Sequence, residues 1–265
     1  MEIIGYIAAI FVGITLGLVG SGGFLALPIL VYLFHIIDPE IATAYSLFLV
    51  GVVSIVGVFL KNKQGFVSYK TAIYFGIPTV IAIFLTRKFL MPAIPEAIFS
   101  FNGFIITKRL IVMSLLAITM MIASYFMIDR KKAESELPLS KKNKTMNFLG
   151  GMVIGSLSGI VGIGGGFIIV PALLKIGNLS MKMAVGTSLL IVALNSAFGF
   201  LGSVSHFVID WKLLLLFSIF SVSGMLIGNL ISKKVDGKHL KVSFGWFVLF
   251  AGAIIMINEL FFTNF

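Results

Sequence analysis

The sequence predicts an all-α polytopic membrane protein of two inverted repeats, each a glycine-broken helical hairpin followed by three transmembrane helices. Three observations predict it: a shortage of charge, an internal duplication, and a matched pair of glycine-rich interruptions. Of 265 residues, 59% are hydrophobic and 11% charged, against roughly 25% charged in a soluble domain. Too few charges remain to coat a water-facing surface of this size, which excludes a soluble enzyme, a nucleic-acid module and a disordered chain. The chain has no cysteine, so disulfides, thiolate nucleophiles and Cys-ligated metals are excluded as well. The N-terminal apolar stretch carries Glu2, has no basic flank and lacks a small-x-small cleavage site near residue 20. It reads as a retained segment, not a signal peptide.

Crossing the hydrocarbon core takes about 20 apolar residues. Runs of that length lie near 41–60, 70–86, 110–128, 183–204, 211–231 and 242–260. Two further stretches, 3–34 and 147–177, are too long. A straight helix of ~32 residues would run ~48 Å through a core of ~30 Å. Each is interrupted by a glycine cluster followed by a proline, at Gly17–Pro28 and Gly159–Pro171.

Those interruptions are one string with a glycine added in the second. The offset is 142 residues at Gly20/Gly162, 143 at Phe24/Phe167, and 142 again at Ser46/Ser188, Ser54/Ser196, Gly57/Gly199 and Lys70/Lys212. The chain is therefore organised as a first repeat over 1–128, a basic linker over 129–146 and a second repeat over 147–265, together one membrane domain. The segment 89–107, with Pro92, Pro95, Glu96 and several Phe, has no counterpart of equal length. It is expected to lie in the interface on the outer surface.

Loop charge selects the topology. If each long stretch crosses once, the 20 Lys and Arg divide ten against ten. If each folds back at its glycines, fifteen share the side of the linker and five the other, the bias expected for cytoplasmic loops. The expectation is a multi-pass protein of the cell (inner or plasma) membrane with both termini outside and the linker cytoplasmic. Each half then has five segments, so the second inserts upside-down relative to the first, as in many secondary transporters.

Irregular backbone at membrane depth persists only where it is buried in protein or lines a wet cavity. Glycines permit a tight reversal and leave amides uncovered. The arms beginning near Phe24 and Phe167 would each offer a helix start, whose free N–H groups and positive dipole suit an anion. The expected substrate-binding residues are therefore Gly20, Ser21, Gly22, Gly23, Gly162, Gly164, Gly165 and Gly166, with Ser46, Thr187, Ser188 and Asn195 as side-chain donors; capping or backbone bonding is the alternative for the hydroxyls, and bonding between helices the alternative for Asn195. Gly13-x-x-x-Gly17 and Gly151-x-x-x-Gly155-x-x-x-Gly159 are close-packing patterns instead. Thr43 and Tyr45 share the helix opening of Ser46. No Asp or Glu falls at the centre of a span, and His35, His206 and His239 fall near span ends without forming a metal cluster. Val19-Gly-Ser-Gly lacks the intramembrane serine protease pattern. Gly162-x-Gly-Gly-Gly has no strand–helix unit around it, and no His-Glu-x-x-His occurs. No catalytic residue and no cofactor is expected.

On the twin signatures Gly17–Pro28 and Gly159–Pro171, and the Ala-x-x-Thr-Ser-Leu-like segments at 42–47 and 184–189, the chain resembles the TauE/SafE family of sulfite and organosulfonate exporters. The second half, with Gly186-Thr187-Ser188-Leu189, fits better; in the first, the glycine run is one residue short and Tyr45 stands in place of threonine. The resemblance implies transport of small sulfur-containing anions such as sulfite, sulfoacetate or related organosulfonates. The expected partners are that anion and the lipid bilayer, with no nucleic acid, and the apolar surface leaves room for a homodimer. Two alternatives stand beside export: H⁺- or Na⁺-coupled uptake of a sulfur compound or other small solute, and a non-transporting membrane scaffold or assembly protein.

Overall fold

The computed structural model describes residues 2–20, 22–34, 36, 38–101, 104–128, 144–162, 164–175, 177, 179–204, 209–235 and 237–261. Ser21, His35, His206 and residues 129–143 of the linker lie outside the described residues. The first repeat holds α1 (Glu2–Val19), a 3₁₀ turn (Gly22–Leu25) running into α2 (Ala26–Tyr32), α3 (Pro39–Lys63) and α4 (Tyr69–Leu85). A π-turn (Thr86–Leu90), α5 (Met91–Ala93), a hairpin of β1 (Ala97–Phe101) and β2 (Phe104–Thr107), and α6 (Lys108–Ile128) follow. Then come α7 (Lys144–Val161), which starts within the expected linker, α8 (Gly166–Lys175), α9 (Met181–Leu201), α10 (Trp211–Lys234) and α11 (Gly237–Phe261).

Among the described residues, six helices are long and apolar enough to cross a membrane, and they fall on the six predicted spans. The two overlong stretches break where the glycines stand, between Val19 and Gly22 and between Val161 and Gly166. In the first repeat the chain then doubles back. Gly5, near the start of α1, lies against the ring of Phe34, just past the end of α2. A straight helix would hold residues 29 apart at about 44 Å.

Local chemistry sets the starts of the long helices. Asp38 caps α3, its carboxylate accepting from the Glu40 N–H at 2.7 Å, with Pro39 in the first turn where no backbone donor is needed. Ser180 and Asp210 cap α9 and α10 in the same way. The bundle packs through small residues. Gly13 and Gly17 of α1 meet Ser221, Met225 and Asn229 of α10, while Gly224 and Gly228 receive Ile10 and Ile14. Gly151, Gly155 and Gly159 of α7 lie on Pro78, Thr79 and Thr86 along α4 and the π-turn. Close backbone approach of this kind is how helices associate in lipid, where burial of apolar surface supplies no drive.

The sense of these contacts matters. α1 and α10 run parallel, since residue numbers rise together along the contact, and so do α7 and α4. α3 and α9 run antiparallel, with Leu47 on Gly199, Gly51 on Ser196 and Gly57 on Leu189. α6 and α11 are also antiparallel, Gly245 lying on Met127 and Gly252 on Met120. Outward-facing positions such as Ile55, Phe59, Ile77, Leu215, Ile219, Phe250 and Ile254 are exposed and apolar, the surface a bilayer solvates.

The segment 89–107 takes a form the sequence reading did not specify. α4 continues through the π-turn into α5, closed by the Met91 N–H donating to Thr86 O. A two-stranded antiparallel hairpin follows, pairing Phe101 with Phe104. Asn102-Gly103 between two apolar runs is a strong hairpin signal. All-α therefore describes the membrane body, with this hairpin added at one end of it.

Candidate functional site

Each break begins as a helix terminus. Gly20 has φ +70° and its N–H donates to Leu16 O at 2.7 Å; Gly162 has φ +71° and donates to Ser158 O at 2.8 Å. These are left-handed C-caps, in which a Cβ would be strained. In the second break Gly164 and Gly165 follow with φ +67° and +82°. The extra glycine thus extends a run of left-handed residues before Gly166 opens α8. In α8 the first backbone bonds are made by the Ile168 and Ile169 N–H groups to Gly165 O, at 3.0 and 2.9 Å, so the amides of Gly166 and Phe167 precede the helix's own ladder.

The two breaks are brought together against the antiparallel pair α3 and α9. Gly20 lies on Val185 and Ser188 of α9, and Gly162 lies on Thr43 of α3. Gly23 lies on Val50, and Gly164 lies on Val192 and Ser196. The arms meet at Phe24 and Phe167, whose rings stand edge to face with centroids 6.0 Å apart. Both rings are buried among side chains of α6 and α11.

Side-chain donors divide into three groups. Ser188 Oγ lies within hydrogen-bond reach of both Gly20 O (3.1 Å) and Val185 O (2.8 Å). Asn195 spans the second break, donating to Gly164 O at 3.2 Å and accepting from Thr79 Oγ1 at 3.1 Å. Ser46 on α3, one turn from Thr43, is fully buried with no partner for its hydroxyl, as are the repeat mates Ser54 and Ser196, of which Ser196 lies against Gly164; Ser218 and Ser221 of α10 are unpartnered too. Thr187 Oγ1 accepts from the Ser68 N–H at 2.9 Å and ties down the α3–α4 loop. Its repeat counterpart does the same at the other end, Tyr45 Oη accepting from the Asp210 N–H at 2.6 Å. Tyr45 and Thr187, and likewise Ser68 and Asp210, stand 142 residues apart.

Sequence reasoning missed a buried cation. Arg87, on the π-turn, is 0% exposed. Its Nε donates to Ser203 Oγ at 2.7 Å, one terminal nitrogen donates to Thr43 Oγ1 at 2.6 Å, and the other donates to Glu40 O at 3.2 Å. It therefore joins the start of α3 to the end of α9 beside Gly162. Nearby, Lys108 pairs with Glu40 at 3.1 Å, while Glu259 accepts from Arg109 at 3.1 Å and from Tyr32 at 3.0 Å. One signal was available for Arg87: its counterpart at 142 residues is Asn229, a polar residue inside an apolar span.

The family described as Sulfite exporter TauE/SafE matches residues 5–255, nearly the whole chain. The chain belongs to this family. A "Probable membrane transporter protein" of Xylella fastidiosa is 27% identical over 248 residues, covering 93% of this chain and 91% of its own. One of Methanocaldococcus jannaschii is 27% identical over 252 residues, covering 88% of each. Another, of Bacillus subtilis, is 27% identical over 263 residues, covering 92% and 95%. No solved structure matches. This TauE/SafE chain is a multi-pass membrane transporter and not an enzyme.

For a TauE/SafE transporter the arrangement has clear chemical capacities. Amide donors at two helix starts, with three buried unpartnered serine hydroxyls near them, can replace part of an anion's hydration without placing a fixed full charge at the centre of the bundle.

Proposed function

We propose that the protein exports small sulfur-containing anions, such as sulfite, sulfoacetate or related organosulfonates, across the cell membrane. The anion is held between the two glycine breaks. One observation carries this reading: both breaks, each the start of a helix arm, converge on α3 and α9, where the buried free hydroxyl of Ser196 lies against Gly164 and those of Ser46 and Ser54 stand one turn along α3 from Thr43 and Val50. A buried hydroxyl without a partner costs about 1–3 kcal/mol, a cost an anion accepting from it removes. Gly22, Gly23, Gly165 and Gly166 supply the amides. Ser188 and Asn195 fix the carbonyls of Gly20 and Gly164, and so aim the amides that follow.

We further propose that the halves are inverted repeats with both termini outside and the linker cytoplasmic. Single crossings of 3–34 and 147–177 would give each half four segments and make α3 parallel to α9. Folding each back gives five and makes them antiparallel. The antiparallel contacts of α3 with α9 and of α6 with α11 support the second arrangement. So does the gathering of fifteen Lys and Arg on one side. Exchange of two such halves around a central site is a recurrent route to alternating access.

The direction follows from charge. A monoanion leaving a cell that is negative inside gains about 2.3 kcal/mol per 100 mV, so export needs no coupled ion. Efflux of radiolabelled sulfite from proteoliposomes tests the reading. Protein-dependent efflux is expected. Retention of sulfite and sulfonates equal to that of protein-free vesicles overturns it.

A further inference from the structure

A cavity of about 240 Å³ opens beside the start of α9, at the end of the bundle where α3 and α10 finish. Lys61, Lys182, Lys233, Ser232 and Gln64 bring polar atoms to it, and no Asp or Glu lies among its described lining residues. Asp236 is outside the described residues. We infer that this cavity is an anion vestibule through which small oxyanions reach the glycine breaks from the linker side.

Burial and partners distinguish Lys61 from an ordinary loop lysine. It is 5% exposed, its Nζ donates to Ser232 Oγ at 2.8 Å, and no carboxylate pairs with it among the described residues. A buried ammonium held only by a neutral hydroxyl lacks the counter-charge that makes such burial tolerable. Lys182, lying over the Phe66 ring, and Lys233 are exposed and add two more positive charges at the rim. A wall of one sign around a small cavity concentrates ions of the other. The volume, about eight waters at ~30 Å³ each, has room for a small oxyanion. Val185, in the lining, also touches Gly20, which places the first break one residue beyond the cavity.

The opposite end carries a related feature. Lys61 and Asn229 are the repeat counterparts of Ser203 and Arg87. Each end therefore has one buried cation at an equivalent place, given by α3 at one end and by the π-turn after α4 at the other. Around Arg87 the place is sealed; around Lys61 it is open.

This inference rests on the anion-export reading, and the two are separable by experiment. Sulfite, phosphate and a monoanionic sulfonate are titrated against the thermal unfolding of the full-length protein, its Lys61→Gln variant and the Lys182→Glu/Lys233→Glu variant. Lys63→Gln, at an exposed lysine lying over Phe59, is the control. Sulfite efflux is measured in parallel. The vestibule predicts anion stabilisation whose midpoint rises about tenfold or more in Lys61→Gln, as loss of a hydrogen bond to a charged group implies, rises several-fold in the rim variant, and is unchanged in Lys63→Gln. The rim variant changes only exposed residues, so it decides the matter if Lys61→Gln does not fold. No stabilisation by any of the three anions, or midpoints unchanged in the variants, overturns the vestibule. Stabilisation lost in the variants without sulfite efflux by the parent protein upholds the vestibule and overturns the exporter. Efflux with variant-independent midpoints does the reverse.

Discussion

Replacing Gly162 by alanine tests whether the second break is built on a left-handed glycine. Gly162 has φ +71°, a region in which an L-residue costs about 1–2 kcal/mol. Its new methyl would also run into the Thr43 side chain and backbone, on a buried residue already fixed by Arg87. Inserting a methyl into a packed site costs about 1–3 kcal/mol more, for a total of about 2–5 kcal/mol. Gly65 is the matched control. Its φ is +73°, yet a methyl there meets nothing within 4 Å, so only the backbone cost of about 1–2 kcal/mol applies. Thermal unfolding of the purified protein, at roughly 2–4 °C per kcal/mol for a chain of this size, separates the two. Gly162→Ala is expected to unfold several degrees below Gly65→Ala and to lose sulfite efflux, which Gly65→Ala keeps. Equal unfolding temperatures, or a Gly162→Ala variant that transports normally, would refute the reasoning.

Three further predictions follow from the same geometry. Gly165→Ala places its methyl on Ser158 Oγ at φ +82°, so it abolishes efflux and lowers stability. Adding Ser158→Ala recovers part of the stability but not the backbone cost of about 1–2 kcal/mol, as paired unfolding curves will read. Arg87→Gln removes charged donors to Ser203 and Thr43, each bond worth about 1.5–3 kcal/mol, and is expected to destabilise the protein; Arg87→Lys recovers little of it, because one ammonium cannot span Ser203, Thr43 and Glu40 O together. Tyr45→Phe and Thr187→Val each remove one acceptor at repeat-equivalent sites. Both are expected to cost about 1 kcal/mol and to leave the anion affinity, measured by thermal stabilisation, at the parent value.

What was legible in the sequence was whatever lipid forces onto a continuous stretch of chain. Six spans stood out because hydrocarbon requires about 20 apolar residues in a row, and α3, α4, α6, α9, α10 and α11 occupy them. The breaks stood out because a 32-residue apolar run does not fit the bilayer, and because two left-handed caps needed glycine at Gly20 and at Gly162. Long-range partnerships left no such trace. Arg87 looked like a loop charge, since the residues that enclose it, Thr43 and Ser203, lie 44 and 116 positions away. The bond that Thr187 accepts from the Ser68 backbone, 119 residues away, had no local mark either. The β1–β2 hairpin was a different kind of miss. Its Asn102-Gly103 signal was present, and the surrounding Phe and Pro residues directed attention to the membrane interface instead.

The central claim, passive export of an anion bound between the breaks, is tested most directly by the distribution of a monoanionic sulfonate across proteoliposomes at a clamped potential of about 100 mV, negative inside. The account predicts a protein-dependent equilibrium near fifty-fold in favour of the outside, the ratio that about 2.3 kcal/mol corresponds to, and no approach to it on the same time scale with Gly162→Ala. A distribution that ignores the potential, or one that needs a proton or sodium gradient to form, would contradict it.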